Sequence, residues 1–267
     1  MLTVLFIGDV VGKPGRGYLT KKLPSLIGLY QPDMVVANGE NTAGGKGITE
    51  PVADEIFKLG VDVITMGNHV WDNRDIFGFI DDQPRLIRPA NYPEGLPGRG
   101  WAIHEIRPGI RPIAVVNLMG RSFMAAIDCP FQAYDRVQKE INESSPGDKP
   151  PAILVDFHAE ATSEKETMGF YLAGKAAAVI GTHTHVQTAD ERILRGGTAY
   201  ITDAGMTGTR DSVLGVDPEI MIRHFVSRAP VRHVLAEGPA ILSGVLIRID
   251  ENSGKAVEII RISEQEG

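Results

Sequence analysis

Three short runs rich in Val, Ile and Met, at residues 2–8, 33–38 and 61–66, are separated by two segments of helical periodicity, 17–30 and 51–60. This β-α-β-α-β opening constrains the fold strongly, because parallel neighbours need long crossover connections, usually helical. Further strand-like runs lie at 112–117, 152–157, 177–181, 198–202, 241–249 and 257–262, with helical segments at 73–82, 131–144, 163–173 and 218–227. The last two strand runs alternate apolar and polar residues around Asn252-Ser253-Gly254, which predicts a closing antiparallel pair and hence a mixed sheet. Strand counting alone leaves a doubly wound α/β sheet open. The Pro/Gly-rich stretch 88–109 reads as a surface loop, and no internal repeat is present.

Polar residues recur where these strands end. The blocks are Gly8-Asp9, Asn38-Gly39-Glu40-Asn41, Gly67-Asn68-His69, Phe157-His158 and Gly181-Thr182-His183-Thr184-His185. Any one of them would pass as a turn or cap. As an ordered set they concentrate ligand-type side chains at the carboxyl ends of strands, where α/β sheets bind ligands. The donors are carboxylate, amide oxygen and imidazole. The single cysteine, Cys129, excludes an intramolecular disulfide and leaves no thiolate cluster. Such a set suits Fe, Mn or Zn better than Ca or a soft copper site. His183 and His185 are two apart, so in an extended segment both imidazoles would face one side.

These blocks resemble the calcineurin-like metallophosphoesterases, with two departures. The first block reads Asp9-Val10-Val11, without the usual His ligand, and the second offers Glu40-Asn41 in place of Asp. Both departures, with Ile7-Gly8-Asp9-Val10-Val11-Gly12 and Asp203-Ala204-Gly205-Met206-Thr207-Gly208, are similar to the YmdB-like branch of that superfamily. The resemblance runs the full length and implies a four-layer α/β/β/α sandwich with mixed sheets. It implies two divalent ions, with Glu40 bridging them. Asp9, His185 and Asn41 would hold one, Asn41 replacing the missing His, and Asn68, His158 and His183 the other. It further implies a metal-activated hydroxide as nucleophile and His69 as the general acid that protonates the leaving alkoxide, a task suited to imidazole. Small phosphodiesters follow as substrates, cyclic nucleotides such as 2′,3′-cyclic AMP among them, although no residue pattern selects a nucleobase. A homo-oligomer is a family-level expectation.

At 267 residues and 43% hydrophobic content the chain supports one domain, 1–267, with no linker-like break. The apolar opening 2–7 is too short for a membrane span and lacks a basic leader, so a cytoplasmic protein without a membrane partner is expected. A net charge of −7 disfavours long nucleic acid. Gly12-Lys13-Pro14-Gly15-Arg16-Gly17 reads either as a phosphate cradle or as a strand-to-helix turn, and Thr207-Gly208-Thr209-Arg210 is a weaker candidate for substrate contact. Trp71 and Asp72 either shape a pocket mouth or simply pack. His104, His224 and His233 fall outside the blocks and read as surface or core residues. Two rival functions stand beside the diesterase: a phosphomonoesterase or protein phosphatase, and a metal-binding regulatory protein with incidental hydrolysis, for which the missing His is the best support.

Overall fold

The computed structural model describes residues 1–145 and 149–266. The single-domain expectation over 1–267 therefore includes four residues, 146–148 and 267, that lie outside the described ones.

Two sheets stack face to face. The first contains β1 (Leu2–Ile7), β2 (Asp9–Val10), β3 (Met34–Asn38), β4 (Val63–Thr65), β5 (Leu86–Ile87), β12 (Met206–Thr209), β13 (Ala240–Ile249) and β14 (Ala256–Gln265). Strands β1, β3, β4 and β5 run parallel, while β13 pairs antiparallel with β1, β12 and β14. The second sheet has the order β10-β11-β9-β8-β7-β6, where β6 is Trp101–His104, β7 Ile113–Met119, β8 Ala152–His158, β9 Ala178–Thr182, β10 Arg192–Leu194 and β11 Thr198–Ile201. Its four central strands are parallel.

Alternation along each strand separates three cores. Leu2, Val4 and Phe6 of β1 meet Ile113, Val115 and Leu154 between the sheets. Leu5 and Ile7 point the other way, onto α1 (Gly12–Tyr30) and α2 (Glu50–Lys58), where Leu19, Leu23 and Ile56 pack. Val116, Val155 and Phe157 pack on Tyr134 of α3 (Pro130–Ser144) and Met168 of α4 (Thr162–Tyr171). Strands covered on both faces must be apolar on both, which is why they appear as continuous hydrophobic runs. The architecture is the four-layer α/β/β/α sandwich. No helix among the described residues is long and apolar enough to cross a membrane.

Three local expectations change. The stretch 88–109 is not a free loop: β6 pairs with β7 from Trp101↔Val116 to His104↔Ile113, and buried Arg88 donates to the carbonyls of Pro89, Leu96 and Pro97. A four-residue edge strand flanked by Pro and Gly carries too short a pattern to be read. Segment 73–82 forms two short 3₁₀ pieces, Arg74–Gly78 and Ile80–Asp82, in place of one helix. The Gly12–Gly17 block is the first turn and a half of α1, which therefore begins five residues before the expected start. Gly15 is there because the helix lies on β12, where a Cβ would collide with the Thr207 carbonyl. Arg16 is engaged by Glu55 and the Thr42 carbonyl, so the block reads as a helix start and not as a phosphate cradle.

Candidate metal centre

Every polar block leaves its strand at the same end of the two sheets. Asp9 follows β1, Glu40 and Asn41 follow β3, Asn68 and His69 follow β4, His158 closes β8, and His183 and His185 follow β9. The sheets bring their ends together. Three polar atoms lie 3.0 Å from His158 Nε2: Asn68 Oδ1, Glu40 Oε1 and His183 Nδ1. One imidazole nitrogen carries at most one proton and cannot satisfy three partners. Donors sharing an ion at about 2.1 Å, by contrast, sit about 3 Å apart from one another. Glu40, His158 and His183 alone offer three ligand atoms within 4.8 Å of each other.

Beside this cluster, Asp9 Oδ1 lies 3.8 Å from His185 Nε2 and 3.9 Å from His158 Nδ1. Asp9 Oδ2 accepts from the His183 backbone N–H at 3.2 Å. Two buried oxygens here, Asp9 Oδ1 and Asn41 Oδ1, have no hydrogen-bond partner among the described residues. Asn41 is turned that way because its own amide N–H donates to the Gly45 carbonyl. A buried, unpaired carboxylate oxygen is costly unless a cation compensates it. The orphaned pair and the convergence on His158 together fit divalent metal ions.

The charges respond to this crowding. Burial alone would depress His158, but the carboxylates of Glu40 and Asp9 overcome it and hold the imidazole up at about 9. Burial works against Glu40 too, yet His158 beside it brings its carboxyl down to about 2. Burial raises Asp9 to about 6, and burial with repulsion from His158 drives His183 down to about 3. Metal ligands must be unprotonated, so uptake of an ion by this cluster would compete with the His158 proton. The His158 proton stabilises the folded metal-free protein fully below about pH 6.5, and that contribution is lost as pH rises through about 9. Asp9 acts in the same direction between its ordinary 3.8 and about 6. Metal-induced thermal stabilisation is therefore expected to grow from pH 6 to pH 8.5. Scanning calorimetry with and without Mn²⁺ would contradict this if the increment stayed flat or shrank.

Side chains behind the donors set their orientation. His158 Nδ1 is 2.9 Å from Thr182 Oγ1, which donates to buried Asp156 at 2.7 Å, and Thr65 and Asn38 donate to the same carboxylate. This chain points the Nε2 edge of His158 at Glu40 and Asn68. His183 Nε2 meets Glu160 at 3.1 Å, which turns its Nδ1 inward. Thr184, between the two histidines, donates from N–H and hydroxyl to Asp203, itself paired with buried Lys165 at 2.7 Å. Outer partners of this kind typically change metal affinity by about 10–100-fold when removed. Thr182→Val, which breaks the link from His158 to Asp156, is expected to weaken Mn²⁺ binding within that range while leaving the sheets folded. Competition against a fluorescent chelator measures it, and unchanged affinity would sink the orienting role.

One expectation about the histidine pair is corrected. β9 ends at Thr182, and His183 and His185 have φ of 99° and 64°, so neither is extended. Left-handed backbone at two non-glycine residues is strained and is concentrated at functional sites. Here it is held by the Asp203–Thr184 bonds and by His185 Nδ1, which donates to the Leu214 carbonyl at 3.2 Å. Gly67 supplies the close approach on the facing loop: a Cβ there would strike the His158 ring and the Glu40 carboxylate.

His69 stands apart from the donors. Its backbone N–H donates to Glu40 Oε2 at 3.0 Å, and its Nδ1 is 2.9 Å from Asp72 Oδ2. Asp72 thus orients the ring, while Trp71 packs on Phe77 and Tyr92. His69 lines a cavity of about 720 Å³ together with Glu40, Asn41, His183 and His185. Lys46, Glu160, Thr184 and a group of aliphatic side chains also line it. His233, read as a surface or core residue, also lines this cavity, whereas Thr207 and Thr209 are buried in β12. Asp156 was findable as a charge inside the apolar run 152–157, but His233 and Glu160 carried no local signal.

The chain is similar to known proteins over nearly its whole length. A Bacillus subtilis 2′,3′-cyclic-nucleotide 2′-phosphodiesterase is 51% identical over 261 residues, covering 98% of this chain and 96% of that protein. The crystal structure of a Mycoplasma pneumoniae phosphatase superposes with a TM-score of 0.90 at 33% identity, covering 99% of this chain and 93% of the other. A 5′-nucleotidase from Candida albicans shares the fold alone, with a TM-score of 0.56 and 13% identity over 98% of this chain and half of that one. The YmdB-like protein family matches residues 5–262, which takes in every donor described above, and the chain belongs to that family.

Proposed function

We propose that the chain is a metal-dependent phosphodiesterase that opens small cyclic phosphodiesters, 2′,3′-cyclic nucleotides foremost. The observation that carries this reading is the convergence of Asn68, Glu40 and His183 on His158, beside the two orphaned oxygens of Asp9 and Asn41, on one cavity that His69 also lines. Asp9, Asn41 and His185 would hold one divalent ion, Asn68, His158 and His183 a second, and Glu40 would bridge them. Iron or manganese fits this N/O set best, with zinc an alternative. Such ions supply an activated water and neutralise charge on the phosphoryl oxygens.

The chain's own residues do the rest. Two carboxylates, Asp9 and Glu40, keep the loaded centre cationic enough to attract a diester monoanion. Lys46 on the cavity wall adds one positive charge. His69, fixed at Nδ1 by Asp72, offers Nε2 to the departing ribose oxygen. Hydrolysis adds water across the P–O2′ bond: the phosphorus gains the hydroxide, O2′ gains the proton from His69, the proton given up by the water restores His69 through solvent, and a 3′-monophosphate leaves. The net charge of −7 and, among the described residues, the single lysine on the cavity wall favour a small substrate over long nucleic acid, and a cytoplasmic location is part of the same proposal. The test is turnover of bis-p-nitrophenyl phosphate against p-nitrophenyl phosphate, with added Mn²⁺ and after chelation. Metal-dependent preference for the diester is expected. Preference for the monoester would replace the diesterase with a phosphatase, and no turnover with metal bound would leave a binding protein.

A further inference from the structure

The donors occupy only part of the cavity. Much of its remaining wall comes from one excursion of the chain between β12 and β13, residues 210–239, which carries α5 (Pro218–Ser227). None of the ten residues of α5 is buried, so packing within the chain does not explain why the helix is there. What the excursion does present is a set of aliphatic side chains, Leu214, Val216, Met221, Val231 and Leu235, all lining the cavity and all partly exposed, with His233 among them. Its root is firmly tied. Thr209 donates to the Ala236 carbonyl at 2.7 Å, Ala236 N–H to Gly215 at 2.9 Å, and Asp217 N–H to Val234 at 2.9 Å. The excursion also touches the centre directly, because the Leu214 carbonyl, set by a left-handed φ of 54°, accepts from His185 Nδ1.

We propose that this aliphatic wall is the subsite for the heterocyclic base of a nucleotide substrate, a reading that rests on the phosphodiesterase assignment of the adjoining donors. A volume of about 720 Å³ lies within the roughly 300–1,000 Å³ of pockets for drug-sized ligands, and a phosphoryl group alone fills a small part of it. Among the described residues Lys46 is the one lysine or arginine on the wall, so the site is not built for a second phosphate. The group attached to the single diester must therefore be uncharged and must offer flat apolar faces to Leu214, Met221, Val231 and Leu235. Polar edges of a base can reach His233 and Thr184, which line the same space.

Two measurements test this on the intact chain. Adenosine, which carries the base and no phosphate, is titrated into metal-free protein with labelled Leu, Val and Met methyls, and ribose serves as the control. Saturable shifts at Leu214, Met221, Val231 and Leu235 with adenosine and not with ribose are expected. Shifts elsewhere, or none, overturn the subsite. Met221→Ser is then assayed with Mn²⁺ on 2′,3′-cyclic AMP and on ethylene phosphate, a five-membered cyclic diester without a base. The ratio of kcat/KM for the nucleotide over ethylene phosphate is expected to fall by at least about tenfold. An unchanged ratio overturns the proposal even if both diesters are hydrolysed and the diesterase reading stands. Wall-specific adenosine shifts in a protein that hydrolyses neither diester would support the subsite while removing that reading.

Discussion

His158→Gln is expected to lower diester turnover by more than about 10³-fold and to leave the purified protein with one divalent ion per chain in place of two. His158 is the side chain on which the site converges: Asn68, Glu40 and His183 each approach its Nε2 at 3.0 Å, and Asp9 lies 3.9 Å from its Nδ1. Removing a single donor that stabilises transition-state charge typically costs about 10²–10³ in kcat, and loss of a cation beside the phosphoryl group should exceed that. Glutamine keeps an amide against Glu40, so the buried carboxylate is not stranded. Metal content by mass spectrometry under native conditions, with kcat from single-substrate kinetics, checks both halves. A variant that keeps two ions and near-parental turnover would remove His158 from the centre. One that keeps two ions yet loses turnover would make it a positioning residue.

Much of this centre was legible because the fold places it where secondary structure can be read. Each candidate donor follows a short apolar run by at most four residues, and strands buried on both faces leave continuous apolar runs in the sequence. The closing pair β13 and β14 was equally legible, since two long strand-like runs flank Asn252-Ser253-Gly254 and pair antiparallel around it. Less legible were features made by distant segments meeting. Asp156 reaches His158 through Thr182, 26 residues on, and Glu160 meets His183 across the strand ends. Neither contact has a signature along the chain.

The histidine pair shows the sharper limit. Spacing of two is compatible with an extended strand, and that inference was reasonable for residues that follow β9 directly. The backbone turns left-handed instead, because Asp203, itself held by Lys165, grips Thr184 from one side and the Leu214 carbonyl takes His185 from the other. Tertiary bonds override the local preference of non-glycine residues at the point where the site needs both rings aimed inward. The aliphatic wall from 213–235 escaped for a related reason. Its side chains have no helical or strand periodicity to announce a shared face, and only the return of the chain from β12 to β13 collects them.

His69→Gln is expected to separate the two halves of the reaction. A general acid matters in proportion to how badly the leaving group needs a proton, and its contribution is typically about 10²–10⁴-fold. The ribose oxygen of a cyclic nucleotide leaves as a strongly basic alkoxide, so kcat for 2′,3′-cyclic AMP should fall by that factor. p-Nitrophenolate leaves as a stable anion, so hydrolysis of bis-p-nitrophenyl phosphate by the same variant should fall by much less. Metal content should not change, because His69 touches the centre through its backbone N–H to Glu40 and turns its ring toward Asp72. That ring is tied at Nδ1, so Asp72→Asn should reproduce part of the same leaving-group pattern by loosening its orientation. Equal losses on both substrates would mean that His69 supports binding or structure and that the proton comes from elsewhere. A loss confined to the alkoxide substrate, at constant metal content, identifies the imidazole as the proton donor and distinguishes a working diesterase from a metal-binding protein in which hydrolysis is incidental.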